Sequence, residues 1–213
     1  MRIRPAVVAD APLLAWVMLE ASRGHVARGA WDVWAGDDEP RTLRLLERLA
    51  VQEVPSFCRF DGFLVAEIDG VPAAALSGYD PAAPGMGDPD RAIASAAEHV
   101  LSWGPAERAA ADQRLAPFMT CITVPPPAVW IVEWVATRPA FRRHGLVHDL
   151  LRAVVEVGRR RGFDRSQITL FIGNTAAESA YARAGYGVAD QKRHPAFERL
   201  LGVPGLVRMV RDI

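Results

Sequence analysis

Between Val129 and Gly185 the hydrophobic pattern switches period three times, and this limits the fold more than any other feature of the chain. Val129 to Thr137 carries bulky residues at both odd and even positions, the pattern of a strand buried on both faces. Arg138-Pro139 ends it, and after a short turn Gly145 to Arg161 reads as a helix. Leu146, Leu150 and Val154 form one stripe of that helix and Val147, Leu151 and Val155 the next, with Gly162 as its C-terminal cap. Gln167 to Ile172 reads as a strand, and Thr175 to Ala184 as a helix closed by Gly185.

The flanking regions are less regular. Residues 2–8 predict a first strand, and Asp10 an N-cap with Pro12 in the first turn of a helix reaching Ser22. Leu13, Leu14, Val17 and Met18 give that helix its apolar face. Residues 23–40 read as a loop rich in Gly, Trp and acid, and Arg41 to Gln52 as a second helix with Leu43, Leu46 and Leu49 inward. Phe63 to Ile68 and Val71 to Tyr79 predict a hairpin around Asp69-Gly70. From 80 to 128, Pro81, Pro84, Gly85, Gly87 and Pro89 at one end and Pro125-Pro126-Pro127 at the other bracket Ala-rich stretches, helical at about 90–102 and 105–115. This segment is too small for a separate domain. It reads as a helical insertion or lid whose sparse bulky residues must pack on the main body. The end of the chain holds a strand, a short helix near Pro195 to Leu201 and a final strand, Gly205 to Arg211.

Composition removes several function classes. The 213 residues are half apolar and carry no formal net charge, which suits one globular domain over 1–213 and gives no overall attraction to nucleic acid or an anionic membrane. No stretch approaches the roughly 18 apolar residues of a membrane span, and the Ala11 to Leu19 stretch lacks the flanks of a signal peptide. Two distant cysteines, Cys58 and Cys121, form neither a disulfide framework nor a metal site. The expectation is a cytoplasmic protein without a metal, with monomer and homodimer equally open.

The turn before the central helix carries the first chemical signal. A helix N-terminus presents unpaired N–H groups and the positive end of a dipole, a setting for phosphate. Gly145 lets a ligand come close to the backbone, and Arg142 and Arg143 add charge. Solvated arginines on an ordinary turn are the alternative.

Two stretches decide between these readings by resemblance. Val135-Ala136-Thr137-Arg138-Pro139-Ala140-Phe141-Arg142-Arg143-His144-Gly145-Leu146 is similar to the central strand and pyrophosphate loop of the GNAT superfamily of acyl-CoA-dependent N-acetyltransferases. Asn174-Thr175-Ala176-Ala177-Glu178-Ser179-Ala180-Tyr181-Ala182-Arg183-Ala184-Gly185-Tyr186 resembles the same family's Asn, Ala, Tyr and Gly-aromatic signature, at the expected separation and in the expected order. Val147 stands where the family has Gly or Ala. The resemblance is strong over about 129–187, looser over the earlier strand, helices and hairpin, and leaves the insertion unexplained.

The resemblance implies an α/β (α+β) fold. Its sheet is mixed and mostly antiparallel, is flanked by helices, and has the helical insertion between its third and fourth strands. It implies acetyl-CoA as acyl donor and an amine as acceptor, with Val135, Ala136, Thr137, Arg142, Arg143, His144, Gly145, Leu146, Val147 and Asn174 holding the cofactor. A backbone N–H near Val135 would meet the developing oxyanion, and Tyr181 would protonate the departing thiolate. An amine must be neutral to attack, so a base is needed. Glu133 is the candidate: a carboxylate in a central strand, two residues before Val135 and so expected on the same face. Each assignment has a structural alternative. Tyr181 is otherwise a core aromatic, Asn174 a helix cap (although Thr175 with Glu178 already reads as a capping box) and Glu133 half of a buried ion pair. His25, Trp31 and Trp34 fall where the family builds part of its acceptor site, and His194 near a second edge of it; Arg159-Arg160-Arg161 reads as a solvated cluster offsetting a helix dipole.

The function implied is acetyl transfer to a primary amine. An insertion covering the acceptor side favours a small-molecule amine over a peptide or protein amine. A non-catalytic acyl-CoA-binding sensor is the rival reading.

Overall fold

A computed structural model describes residues 1–86 and 89–213; Gly87, counted above among the turn residues of the insertion, lies outside the described residues. The chain runs β1 (Arg2–Pro5), α1 (Ala11–Arg23), α2 (Ala30–Ala35), α3 (Glu39–Val51), β2 (Phe63–Ile68), β3 (Val71–Tyr79), α4 (Asp90–Leu101), α5 (Pro105–Met119), β4 (Trp130–Thr137), α6 (Leu146–Arg160), β5 (Arg165–Phe171), α7 (Thr175–Arg183), β6 (Gly187–Arg193), α8 (Pro195–Leu201) and β7 (Gly205–Asp212). The sheet order is β1-β2-β3-β4-β5-β7-β6. Every neighbouring pair is antiparallel except β4 with β5, the expected mixed sheet. Among the described residues no helix is long and apolar enough to cross a membrane.

Helices cover both faces. On one, α1 packs on β3 and β4 with α3 behind it; on the other, α6 packs on β2, β3 and β4. The α6 face depends on close approach at Trp130, which is fully buried. A Cβ on Gly78 of β3 would lie 2.9 Å from the Trp130 ring and one on Gly158 of α6 2.7 Å from it, so only glycine lets strand and helix close on the indole. Arg161 covers the outer edge of the same ring at 5.1 Å, so this member of the arginine cluster has a partner.

The hairpin has the expected two-residue turn, Asp69 and Gly70 at φ 51° and 78°. Several other expectations need correction. The first strand stops at Pro5 rather than residue 8. Asp10 does not cap α1 through its carboxylate; it binds Arg4 at 2.6 and 2.9 Å and the Val7 N–H at 2.8 Å, fastening β1 to the start of α1. Residues 23–40 contain α2, a short helix without the length to show a period. In α3 Leu46 and Leu49 are inward as expected, joined by Leu45, while Leu43 is only half-buried.

The insertion is bound to the body through small residues and polar ties. Ala92, Ala96 and Ala97 of α4 are fully buried, and the Gln52 amide donates to the Ala92 carbonyl at 3.0 Å. Arg114 of α5 donates to the carbonyls of Val33 and Trp34, and the Trp34 indole donates to Asp112 at 2.8 Å. Phe118 stacks on Phe197 of α8. Alanine there is a packing residue, because it lets helices approach closely.

Candidate active site

The parallel pair β4 and β5 is joined only at Trp130–Ser166, Ile131–Gln167 and Val132–Ile168. Beyond Val132 the facing edges have no ladder partner, and a cavity of about 1650 Å³ lies between them. This exceeds the roughly 300–1,000 Å³ of an ordinary small-ligand pocket and leaves room for two substrates together. The expectation that β4 is buried on both faces therefore holds for its first three residues, while Glu133 to Thr137 are half-buried because the cavity replaces a neighbouring strand.

The strand is also irregular at this point. Ser77 pairs with Glu133 and Ala75 with Ala136, so Trp134 and Val135 together oppose Leu76. Trp134 takes a left-handed φ of 55°, a bulge that breaks the alternation of faces. Trp134 packs with Trp31 and Phe57 on the α1 side, whereas Val135 joins the core on the α6 side. Glu133 shares the face of its cross-strand partner Ser77, whose hydroxyl donates to Phe57 on that side. Glu133 and Val135 thus point to opposite faces, against the two-residue expectation, though both line the cavity.

Glu133 forms no hydrogen bond or ion pair among the described residues, so the buried ion pair weighed for it is absent. Burial holds its carboxyl at about 7 against an ordinary 4.5. Tyr79 faces it diagonally across β3, and desolvation with the Glu133 charge pushes that phenol up. Tyr181 of α7 is buried at 7 % exposure in the α6-side core and lines the cavity. Burial raises its phenol, which keeps the proton on oxygen at neutral pH. It is core aromatic and site residue together.

The α6 end offers an anion site. Arg143 and Gly145 take left-handed φ of 69° and 78°, and no side chain caps the helix N-terminus, which leaves its first amides open. A Cβ on Gly145 would meet nothing within 4 Å, so the space above it is open. Arg142 donates to the Thr137 carbonyl at 3.3 Å, and Arg143, Leu146 and His148 line the cavity with it. His144 is turned away from that role: its Nδ1 donates to the carbonyls of Phe141 and Arg142 and pins the turn. Val147 lines the cavity and packs against the α6 core. Ala136 and Thr137 line the cavity as well.

Asn174 caps α7, its Oδ1 accepting from the Ala177 N–H at 3.2 Å. The cap is thus Asn174 itself and not a box begun at Thr175, although Asn174 also borders the cavity. Trp31 and Trp34 line the cavity, while His25 packs on Phe171 outside it and the His194 ring caps α8 by accepting from Ala196. Sequence reasoning missed Phe57, Tyr79 and Trp134. Only a register with the bulge in it would have pointed to them. Among the described residues no cluster of His, Cys, Asp or Glu could hold a metal.

A family model described as the acetyltransferase (GNAT) family matches residues 31–186. The chain belongs to that family. An acetyltransferase crystal structure is similar over the full length of both chains, with a TM-score of 0.72 and 17 % identity. An N-acetyltransferase from Staphylococcus aureus Mu50 follows at 0.69 and 16 %, over 99 % of this GNAT chain and 100 % of its own. The yncA protein of Salmonella typhimurium, solved with its cofactor acetyl-CoA, scores 0.55 at 20 % identity, over 100 % of this chain and 93 % of its own. No curated protein matches in sequence.

Proposed function

We propose that this GNAT enzyme transfers an acetyl group from acetyl-CoA to a primary amine of a small-molecule acceptor by direct attack. What carries the reading is Glu133, an unpaired carboxyl held at about 7, lining one cavity with Tyr181 and the uncapped start of α6. The residues fit the cofactor: Arg142, Arg143 and the first amides of α6 suit its phosphates, Val135 to Thr137 and Asn174 the arm that follows, and the unpaired edge of β4 offers backbone groups. Acetyl-CoA supplies the acyl group as a thioester. Glu133 takes the proton that the acceptor ammonium must lose, and a carboxylate near neutrality is matched to that task. A backbone N–H near Val135 donates to the carbonyl oxygen as its charge grows. Tyr181 donates its proton to the departing sulfur. The insertion, which we read as part of a single domain, walls the acceptor side and so favours a small amine over an exposed peptide. Two unpaired buried thiols, Cys58 and Cys121, suit a reducing, cytoplasmic setting.

The test is thermal shift with acetyl-CoA, longer acyl-CoAs and free CoA, followed by thiol release over amines, aminoglycosides, amino acids and peptides. Saturation at a hundred times Kd stabilises by about 2.7 kcal/mol, an upward shift on the order of 5–10 °C for a chain of this size. No stabilisation by any CoA species sinks the reading. Stabilisation without turnover of any amine makes the chain an acyl-CoA-binding module instead.

A further inference from the structure

The acceptor half of the cavity has a wall of one chemical kind. Trp34, Trp31, Trp134, Phe57 and Tyr79 form a continuous row, with successive ring centroids 6.3, 6.2, 5.8 and 5.1 Å apart. All five line the cavity. The Trp31 and Trp134 indole nitrogens are buried, and that of Trp34 is bonded to Asp112. The tryptophans and Phe57 therefore offer ring faces and carbon edges rather than donors, and the Tyr79 hydroxyl at the end of the row is its polar group. At the mouth, Met119, Ile122 and Val124 line the cavity and stay 54 %, 39 % and 92 % exposed, an apolar rim on the insertion. The carboxylates of this half are committed elsewhere with one exception. Glu20 pairs with Arg23, Asp112 accepts from the Trp34 indole and Asp90 also has a partner, while Glu133 stands unpaired beside the aromatic row. Arg108 of α5 is a cation of this half, and it also borders an outer groove beside Trp103.

We infer that the acceptor is an amine with an apolar, aromatic body and no neighbouring carboxylate, of the arylalkylamine type. The inference rests on acetyl transfer at this site. The ammonium is drawn to Glu133 and to the ring faces, and the aryl group lies along Trp31, Trp134 and Phe57. Polyhydroxylated amines would leave their hydroxyls unpaired against that wall, and an α-carboxylate would stand close to Glu133. In the reaction the ammonium gives one proton to Glu133, the amine nitrogen bonds to the acetyl carbon, the carbon–sulfur bond breaks, and the thiolate takes a proton from Tyr181; the second proton that the nitrogen sheds on becoming an amide returns through water to Tyr181, and Glu133 releases its own to solvent.

The experiment compares kcat/KM for 2-phenylethylamine, tryptamine, phenylalanine, ethanolamine and kanamycin by thiol release. Phenylethylamine and tryptamine are expected to exceed ethanolamine by about tenfold or more, the discrimination an apolar pocket of this kind supplies. Phenylalanine, the same skeleton with a carboxylate, falls below phenylethylamine. Phe57→Leu keeps an apolar side chain and loses the ring. It lowers the ratio of kcat/KM for phenylethylamine to that for ethanolamine about tenfold, while the acetyl-CoA thermal shift reports that the cofactor end is intact. Preference for ethanolamine, kanamycin or phenylalanine, or a Phe57→Leu effect equal for all amines, overturns the inference while leaving acetyl transfer intact. Acetyl-CoA stabilisation with no turnover of any amine overturns acetyl transfer and this inference with it.

Discussion

The α6 end of the cavity comes from one contiguous stretch, β4 through α7, and most of what it offers is backbone: open amides, two left-handed turn residues, a free strand edge. The acceptor end draws on α1, α2, the segment before β2, β3, β4 and the insertion, and what it offers is side chains. A backbone site needs a local conformation, which glycine, a strand end and a helix start announce over a few residues. A side-chain site needs the whole fold to bring distant residues together, and here it also needs a bulge. The two ends should therefore respond differently to substitution: the acceptor end through turnover, the α6 end through cofactor affinity.

Glu133→Gln should produce the largest effect. It removes the proposed base and lowers kcat by about 10²–10⁴-fold, while the acetyl-CoA thermal shift stays. In the parent, kcat/KM rises through a pH of about 7 as Glu133 loses its proton. Stability runs the other way. The carboxyl titrates at 4.5 when unfolded and at about 7 when folded, so between these values the unfolded chain has lost a proton that the folded chain keeps. Folding stability falls across that window and levels off above it, by on the order of 3 kcal/mol in all. Thermal melts from pH 4 to 8 should show the fall in the parent and its absence in the variant. An equal fall in both would mean that Glu133 is not the titrating group.

Tyr181→Phe sharpens the contrast from the other side of the cavity. Loss of the proposed proton donor lowers kcat by about 10²-fold, with KM for acetyl-CoA and the melting temperature little changed, since the hydroxyl has no partner to lose among the described residues. Full turnover would return Tyr181 to the core as a packing residue only.

How much of this was legible follows the same division. The hairpin at Asp69-Gly70, the strand and helix of the central unit and the helix after Pro195 are visible because period and punctuation agree over short spans. Arg142, Arg143, Gly145, Tyr181 and Asn174, which border the cavity, are singled out through the resemblance of their two stretches to the family, although Asn174 turns out to serve the helix as well as the cavity. The bulge at Trp134 is not visible, since nothing in Glu133-Trp134-Val135 announces a left-handed tryptophan. Without it the faces of Glu133 and Val135 are misassigned, and Phe57 and Tyr79 have no reason to be chosen. The short helix α2 is hidden for a related reason: its residues are held by Asp32, which binds Arg23 at 2.7 and 2.9 Å and the Gly29 N–H at 2.8 Å, contacts made in three dimensions.

The smallest effect is expected at Val147, and it separates crowding from packing at the α6 end. The position departs from the Gly or Ala of the family signature, so a branched side chain could obstruct the phosphates. The side chain is half-buried and joins the core that includes Leu150, Leu151 and Tyr181. Val147→Ala then loses apolar contact worth about 1–2 kcal/mol and regains about 0.5 kcal/mol of helix propensity, a net destabilisation on the order of 1 kcal/mol. Affinity for acetyl-CoA should change by no more than about threefold, on the order of 0.6 kcal/mol, since the open amides and the space above Gly145 are untouched. Titration calorimetry with CoA reads the difference. A tenfold gain in affinity would show that Val147 stands over the anion site, and that the backbone end of the cavity is also tuned by a side chain.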